Sequence, residues 1–433
     1  MQRAKTWIAN ARESTLARNS VWMFLGYGVR IIVQAGYFIL IARALGPAEY
    51  GAFVGTVALI AIAAPFAGAG SGNLLIKNVS RDKSLFAVYW GNALFMLVST
   101  GLALMGVIVV VAHWILPRAI PTTLIVLICL SDMIGARIND FAAQAFQAMD
   151  RMSYTARVGL VPFVLRLLSA VIIIGVWHHG SALLLGWFYL GSTVVSSTIG
   201  MAVVNWKLGR PRLELSRIPA ELKEGFYFGA GLSAQTIYND IDKTMMASLS
   251  TLDATGIYGA AYRVIDVAFT PVRAVKDAAY ANFFRNGQNG IAGSFAYAKK
   301  LLPRLAGYSI LAFVGLFVLG PVLPLLIGKD FSRTVEALRW LALLPLLKTI
   351  HYLISDSVTG AGYQGYRTAA QVFVALLNVG LNFWLIPLYS WRGAAWSSLA
   401  CDGALALIMY GILMVLMARE ARVSSAQLSA ERI

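Results

Sequence analysis

Twelve apolar stretches follow one another along this 433-residue chain, at 21–42, 52–74, 85–111, 122–148, 158–176, 182–206, 226–249, 257–281, 305–327, 335–360, 368–388 and 393–417. Most reach the ~20 residues that a helix rising ~1.5 Å per residue needs to cross the hydrocarbon of a bilayer. Inside lipid every backbone N–H and C=O must be satisfied within the chain, which leaves only helices and closed barrels. Continuous apolar runs, without the short alternating segments of barrel strands, exclude the barrel. With 58% hydrophobic residues, 13% charged and a mean hydropathy of +0.69, the chain is too apolar and too thinly charged for an ordinary soluble protein. The expected fold is an all-α polytopic membrane protein.

A net charge of +16 carried by 36 Lys and Arg raises the question of nucleic acid. The placement of the cations answers it. About 22 lie in the N-terminus, alternate connections and the tail, about 6 in the opposite connections and about 8 within spans, which is the asymmetry of the positive-inside rule. Both termini are therefore expected in the cytoplasm, and the basicity reads as topology and contact with anionic lipid, with no nucleic-acid partner. The longest inner loop carries Lys207, Arg210, Arg212, Arg217 and Lys223. The expected organisation is a basic N-terminal segment at 1–20, a first six-helix bundle at 21–206, a basic linker at 207–225, a second bundle at 226–417 and a tail at 418–433. Trp22, Trp114, Trp177, Trp206 and Trp391 fall near span borders, as interfacial anchors do.

Residues 1–20 hold Arg3, Lys5, Arg12 and Arg18 but no short apolar core with a small-residue cleavage site. No removable signal peptide is expected; a basic helix on the inner membrane surface, anchored by Trp7 and Ile8, is. Cys129 and Cys401 lie in distant spans and suggest no disulfide framework.

Arg263, Asp266, Arg273, Lys276 and Asp277 share one predicted span, and Arg263, Asp266, Thr270, Arg273 and Asp277 fall on a single helical stripe. Facing lipid, five such charges would cost on the order of 15 kcal/mol gross, so the stripe must face another helix or water. Arg30 stands one turn before Gln34 in the first span, and Gln235, Asn239 and Asp242 share a face of the seventh, with Asp240 and Lys243 beside them. Two readings stay open. The charges line a wet cavity, or they pair and fix helix packing, Arg263 with Asp266 and Arg273 with Asp277. Lys348, Tyr352 and Asp356 recur at every fourth residue, as do Asn378 and Asn382, with cavity lining and interhelical hydrogen bonding equally open. Arg137 and Asp140 can pair along the fourth span beside Asp132, whereas Arg166 and Asp402 stand alone and are expected to snorkel. A proton- or sodium-coupled cycle needs a titrating or coordinating carboxylate, for which Asp240, Asp242, Asp266 and Asp356 are candidates, with Asp277 and Lys348 as further gating groups.

Enzymatic signals are missing where chemistry would need them. His113, His178, His179 and His351 have no metal-helix spacing. The run G-A-G-S-G at 68–72 lacks the Lys-Ser/Thr of a phosphate loop and reads as a close-packed or broken helix end closing a span; Gly46-Pro47 and Gly256 read as turns between spans. Every outer connection is short, which disfavours a polysaccharide polymerase with a large catalytic loop.

Aligning the halves at an offset of about 208 residues brings Tyr50-Gly51-Ala52 onto Tyr258-Gly259-Ala260 and Pro65 near Pro271, which suggests two bundles related by an axis along the membrane normal. The segment A-R-A-L-G-P-A-E-Y-G-A-F at 42–53, Y-N-D-I-D-K at 238–243 and T-G-I-Y-G-A-A-Y at 255–262 resemble the polysaccharide (oligosaccharide) flippase family. F-Q-A-M-D-R at 146–151, L-L-I-G-K-D-F at 325–331, and L-N-x-x-L-I-P with the following R-G-A-A-W at 381–396 agree. The resemblance implies membership of the multidrug/oligosaccharidyl-lipid/polysaccharide exporter superfamily, with two six-helix bundles forming a V-shaped central cavity. It further implies flipping of undecaprenyl-diphosphate-linked oligosaccharide, an O-antigen, capsule or exopolysaccharide repeat unit, across a bacterial inner membrane, handing it to a polysaccharide polymerase and chain-length regulator. The pyrophosphate of such a substrate needs cations, for which Arg30, Gln34, Lys243, Arg263, Arg273 and Lys276 are the candidates. No cofactor is expected beyond H⁺ or Na⁺ coupling. A cation-coupled multidrug exporter of the same superfamily is the alternative; its cavity would favour carboxylates and aromatics over these cations.

Overall fold

The computed structural model describes the backbone of residues 2–177 and 180–430, and the side chains among them except 2–27, 223–232, 234, 235, 238, 281 and 423–430. His178 and His179, and the anchoring expected of Trp7, Ile8 and Trp22, lie outside what is described. Among the described residues fifteen α-helices follow in order: α1 Gln2–Ala63, α2 Ser71–Val79, α3 Phe86–Ile115, α4 Thr122–Cys129, α5 Ala136–Ala148, α6 Met152–Trp177, α7 Ala182–Lys207, α8 Ile218–Leu249, α9 Leu252–Gly287, α10 Gly290–Leu319, α11 Leu323–Ile327, α12 Thr334–Leu341, α13 Leu344–Gly360, α14 Gln364–Tyr389 and α15 Trp391–Ala430. The remaining regular pieces among the described residues are short 3₁₀ turns and one π-turn.

The chain divides into two packed units, one of 1–45 and 52–240, the other of 46–51 and 241–433. The expected turn at Gly46-Pro47 is a sharp kink inside α1, with Gly46 at φ 69° and ψ 173°, a backbone reserved for glycine. The basic stretch 2–20 is helical and continuous with the first span. The glycine run breaks a helix as expected, and the segment long and apolar enough to cross a membrane, 28–66, ends just before it. Gly68, Ala69 and Gly70 all take positive φ, and α2 then resumes for nine residues. Gly256, expected in a turn, lies inside α9, and the turn falls at Ser250, where Thr251 caps α9 through Ala254 N–H. Pro65 opens a 3₁₀ turn whereas Pro271 sits within unbroken α9, so the two halves differ at the place where the repeat would pair them.

In the first unit α3 holds the chain that leaves α7. Arg212 N–H donates to Ala87 O at 2.7 Å, and Asn92 grips Glu214 on both sides, accepting from its N–H at 2.9 Å and donating to its C=O at 3.2 Å. Helix resumes at Ile218, inside the stretch expected as linker. In the second unit Phe269, Val272 and Phe283 of α9 pack with Ala298 and Leu305 of α10 and Leu353 of α13.

Among the described residues eight helical segments are long and apolar enough to cross a membrane: 28–66, 83–115, 152–177, 182–207, 290–327, 334–360, 364–389 and 391–422. Large apolar side chains such as Leu311, Leu376, Trp384 and Leu407 point outward, a pattern that water would penalise and lipid does not. The protein is a multi-pass membrane protein. The expected span 52–74 is joined to the first across the kink and interrupted at the glycine run, and 122–148 is split by the π-turn Leu130–Gly135. α8 and α9, at 32 and 36 residues, are long enough but carry the charged residues that concern the site. Trp114 and Trp206 are exposed as anchors should be, whereas Trp391, expected among them, is 2% exposed and packs inward.

Candidate functional site

In the first unit the polar side chains converge on α5, α6 and α7. The π-turn Leu130–Gly135 admits one extra residue into the helix, a distortion that re-aims side chains and is frequent at functional positions. Tyr189 Oη on α7 donates to Asp132 Oδ1 at 2.8 Å, and Arg166 of α6 lies 3.6 Å from the same carboxylate with its guanidinium 3.9 Å above the Tyr189 ring. Beside this group opens a cavity of about 300 Å³ whose polar lining includes Arg30, Arg166, Asn139, Asp140, Gln147 and Thr155. The Arg30 guanidinium stacks 4.2 Å from the centre of Phe163, which lines the same cavity. Its carboxylate among the described residues, Asp140, is matched by Arg137 at 3.3 Å, the i,i+3 pair that the sequence suggested. The lining is thus cationic on balance. Gln34 is partly buried on α1 and does not reach the cavity wall.

The second unit holds a buried polar chain across α8, α9, α13 and α15. Tyr258 Oη donates to Asp242 Oδ2 and lies 3.0 Å from Ser398 Oγ. Lys243 Nζ sits 3.7 Å from Asp242 Oδ1 and 3.9 Å above the Tyr262 ring, and Lys348 Nζ donates to Tyr262 Oη at 3.0 Å. His351 Nε2 meets Asp402 Oδ1 at 3.1 Å. All of these side chains are buried. Charges so far from water persist only when paired and hydrogen-bonded, which is what this chain of contacts supplies.

α9 separates its two faces cleanly. Ile257, Tyr258, Ala261, Tyr262, Ile265, Phe269 and Val272 are buried, whereas Arg263, Asp266 and Thr270 are partly exposed and Arg273 and Asp277 exposed. The expected stripe is real and turns away from the core. Its pairing differs from expectation: Arg273 approaches Asp266 at 3.9 Å, and Lys276 lies 3.0 Å from Asp277 and 4.0 Å from buried Asp356 of α13. Asp356 Oδ1 in turn accepts from Arg367 at 2.9 Å. Arg263 makes no ion pair or hydrogen bond among the described residues.

The predicted residues therefore fall into separate groups. Arg30 lines the first unit's cavity; Lys243, Asp242 and Lys348 join the buried chain; Lys276, Asp277 and Asp356 form a second cluster; Arg263, Asp266 and Arg273 occupy the open face of α9; and Asp240 is partly buried on α8. Arg166 and Asp402, expected to snorkel, do not: each is paired inside the protein, with Asp132 and His351 respectively. Sequence reasoning missed Tyr258, Tyr262, Tyr189, Ser398 and Arg367. Tyr258 and Tyr262 recur one turn apart beside Arg263, a signal that was readable; the other three have no local signature. Asn378 and Asn382 bond to one another at 2.9 Å, and Asn378 donates to Ser397 of α15 at 3.3 Å, which decides for interhelical hydrogen bonding there. Among the described residues no group of three or more His, Cys, Asp and Glu could hold a metal ion.

No curated protein sequence matches the chain. Among solved structures it is similar to a multidrug resistance MATE family transporter of the MOP superfamily in its inward-facing conformation, with a TM-score of 0.76 at 15% identity, covering 94% of this chain and 99% of that one. It is also similar to the lipid II flippase MurJ in an inward closed conformation, with a TM-score of 0.73 at 13% identity, covering 92% of this chain and 87% of that one. At these identities the likeness establishes a shared fold. Residues 16–269, well over half the chain, match the family described as polysaccharide biosynthesis protein. The chain belongs to the polysaccharide biosynthesis protein family.

Proposed function

We propose that this protein flips undecaprenyl-diphosphate-linked oligosaccharide repeat units across a bacterial cytoplasmic membrane by alternating access, for O-antigen, capsule or exopolysaccharide synthesis, with both termini in the cytoplasm. The observation that carries the reading is the sign of the polar surfaces. The first unit's cavity presents Arg30 and Arg166 against a carboxylate already matched by Arg137, and the open face of α9 presents Arg263, which has no ion pair among the described residues. A diphosphate needs such cations, and guanidinium groups suit it because their planar fork binds two phosphate oxygens at once. Asn139, Gln147 and Thr155 offer partners for sugar hydroxyls in the same cavity. An exported organic cation would meet the wrong charge here, which weighs against the drug-exporter reading although the MATE fold is shared.

Driving the cycle requires a group whose charge state changes. Asp242, buried beside Lys243 of its own helix, and Asp356, buried between Lys276 of α9 and Arg367 of α14, are the carboxylates we assign to proton or sodium coupling, with Lys243 and Lys276 as the counter-charges that a coupling ion would displace and Lys348, bonded to Tyr262, as a further gating group. Partners downstream would be a polysaccharide polymerase and a chain-length regulator, which take the flipped unit.

The test is flipping of undecaprenyl-diphosphate-linked oligosaccharide in proteoliposomes, together with surface polysaccharide in cells lacking the gene. Arg30→Ala and Arg263→Ala should each abolish flipping while inserting at normal levels, and Arg30→Lys should retain part of the activity. Full activity in both alanine variants would sink the cationic-site assignment.

A further inference from the structure

We infer that Asp132 is an internal competitor for the anion site of the first unit: it holds Arg166 when the cavity is empty and gives it up to a diphosphate when one enters. This deepens the proposed function and rests on its reading that the cargo is a diphosphate lipid. The observations concern the state of Arg166. A guanidinium has five N–H donors in a fixed fork and is always charged. Arg166 is 17% exposed, yet its contacts with the described residues are an ion pair to Asp132 at 3.6 Å, beyond hydrogen-bonding distance, a hydrogen bond to Thr193 Oγ1 at the 3.5 Å limit, and the face of the Tyr189 ring. Its Nε is buried without any acceptor. A buried arginine normally collects short, bidentate partners, so this one is poorly satisfied where it stands.

The same side chain lines the cavity shared with Arg30, whereas Asp132 does not line it. Asp132 is fixed from the other side by the hydroxyl of Tyr189 at 2.8 Å and by the π-turn that carries it, so the carboxylate stays put while the longer arginine can turn. The carboxylate that does line the cavity among the described residues, Asp140, is engaged by Arg137. An entering diphosphate would thus take Arg166 through its unsatisfied N–H groups, aided by Arg30, and compete with one weak ion pair. Phosphate chemistry could come from a lipid headgroup or from a free anion, and the two are separated by the probes below.

The experiment measures binding of inorganic pyrophosphate and of farnesyl diphosphate to the purified full-length protein in detergent. Asp132→Asn should tighten both by about tenfold, Arg166→Gln should weaken both by a similar factor, and the double variant should bind no tighter than Arg166→Gln alone. Should Asp132→Asn not fold, the wild-type protein serves: phenylglyoxal modification of Arg166, followed by mass spectrometry, should be suppressed by either probe. Tighter farnesyl diphosphate than pyrophosphate assigns the site to a lipid, and equal affinities assign it to the diphosphate alone. A folded Asp132→Asn with unchanged or weaker binding, or no protection of Arg166, overturns the inference. If flipping in proteoliposomes still depends on Arg30, only the Asp132 competition has failed; if wild type neither flips nor binds either probe, the flippase reading fails with it.

Discussion

Replacing Gly256 by alanine tests the joint on which the kinked segment 46–51 is seated. A Cβ there would overlap the carbonyl oxygen of Pro47 and stand 2.7 Å from its carbonyl carbon and 3.0 Å from its Cα, where ordinary contact begins near 3.4 Å. From the other side, a Cβ on Gly51 would overlap Leu252 O and lie 2.7 Å from Gly256 N. Backbone faces backbone, so no rotamer change can relieve the overlap and the two segments must separate. Overpacking a core where side chains can yield costs about 1–3 kcal/mol, which places this substitution at about 3 kcal/mol. The helix propensity gained on leaving glycine offsets about 1 kcal/mol, for a net loss of about 2 kcal/mol. For a unit of this size that is a fall of about 4–8 °C in the melting midpoint. The assay is fluorescence-detected size exclusion after a heat series in detergent, with Gly403→Ala as the control, since a Cβ at that position of α15 meets nothing within 4 Å. A Gly256→Ala protein that melts with Gly403→Ala would refute the argument, because it would mean that the two backbones do not approach as described.

Removing the hydroxyl in Tyr258→Phe takes away the bond that Asp242 Oδ2 accepts from it, and should cost about 1.5–3 kcal/mol, less than additively with Asp242→Asn; an unchanged melting midpoint in detergent counts against the buried chain. Asn92→Ala frees both faces of Glu214 and a bond to Glu221, and should speed trypsin cleavage at Arg212 and Arg217 by about tenfold, since local opening sets that rate; equal rates would mean that α3 does not clamp this segment. Just ahead of the segment 83–115, Asp82 accepts from both the N–H and the hydroxyl of Ser84, which holds the Asp82 carboxyl below its usual range. That cap is present above the ordinary carboxylate pKa and is lost as pH falls through the lowered one, so amide exchange at Ser84, corrected for intrinsic rate, should rise at acidic pH in wild type and be pH-insensitive in Asp82→Asn.

Much of the architecture was legible before any coordinates. Apolar run length predicts membrane helices because lipid offers the backbone no partner, and Gly46-Pro47 predicts an interruption because only glycine takes that backbone readily and proline cannot continue a helix. The polar stripe of α9 was legible because its spacing is a property of one helix, and the structure turns that stripe out of the core. Break positions were harder. The turn expected at Gly256 falls at Ser250 instead, and the π-turn at 130–135 has no turn signature of its own in the stretch 122–148. The positions of both depend on what packs against them.

By itself, then, the sequence determined a helical membrane protein, the cationic character of its polar surfaces and which helix carries the charged stripe. These follow from composition and from periodicity within single elements. Only the tertiary structure decided who pairs with whom. Arg166 meets Asp132, Lys276 meets Asp356, His351 meets Asp402 and Lys348 meets Tyr262, each across separate stretches of chain. The reason is desolvation: a charge taken out of water must find an opposite charge or a hydrogen-bonding group nearby in space, and folding, not sequence distance, determines what is nearby.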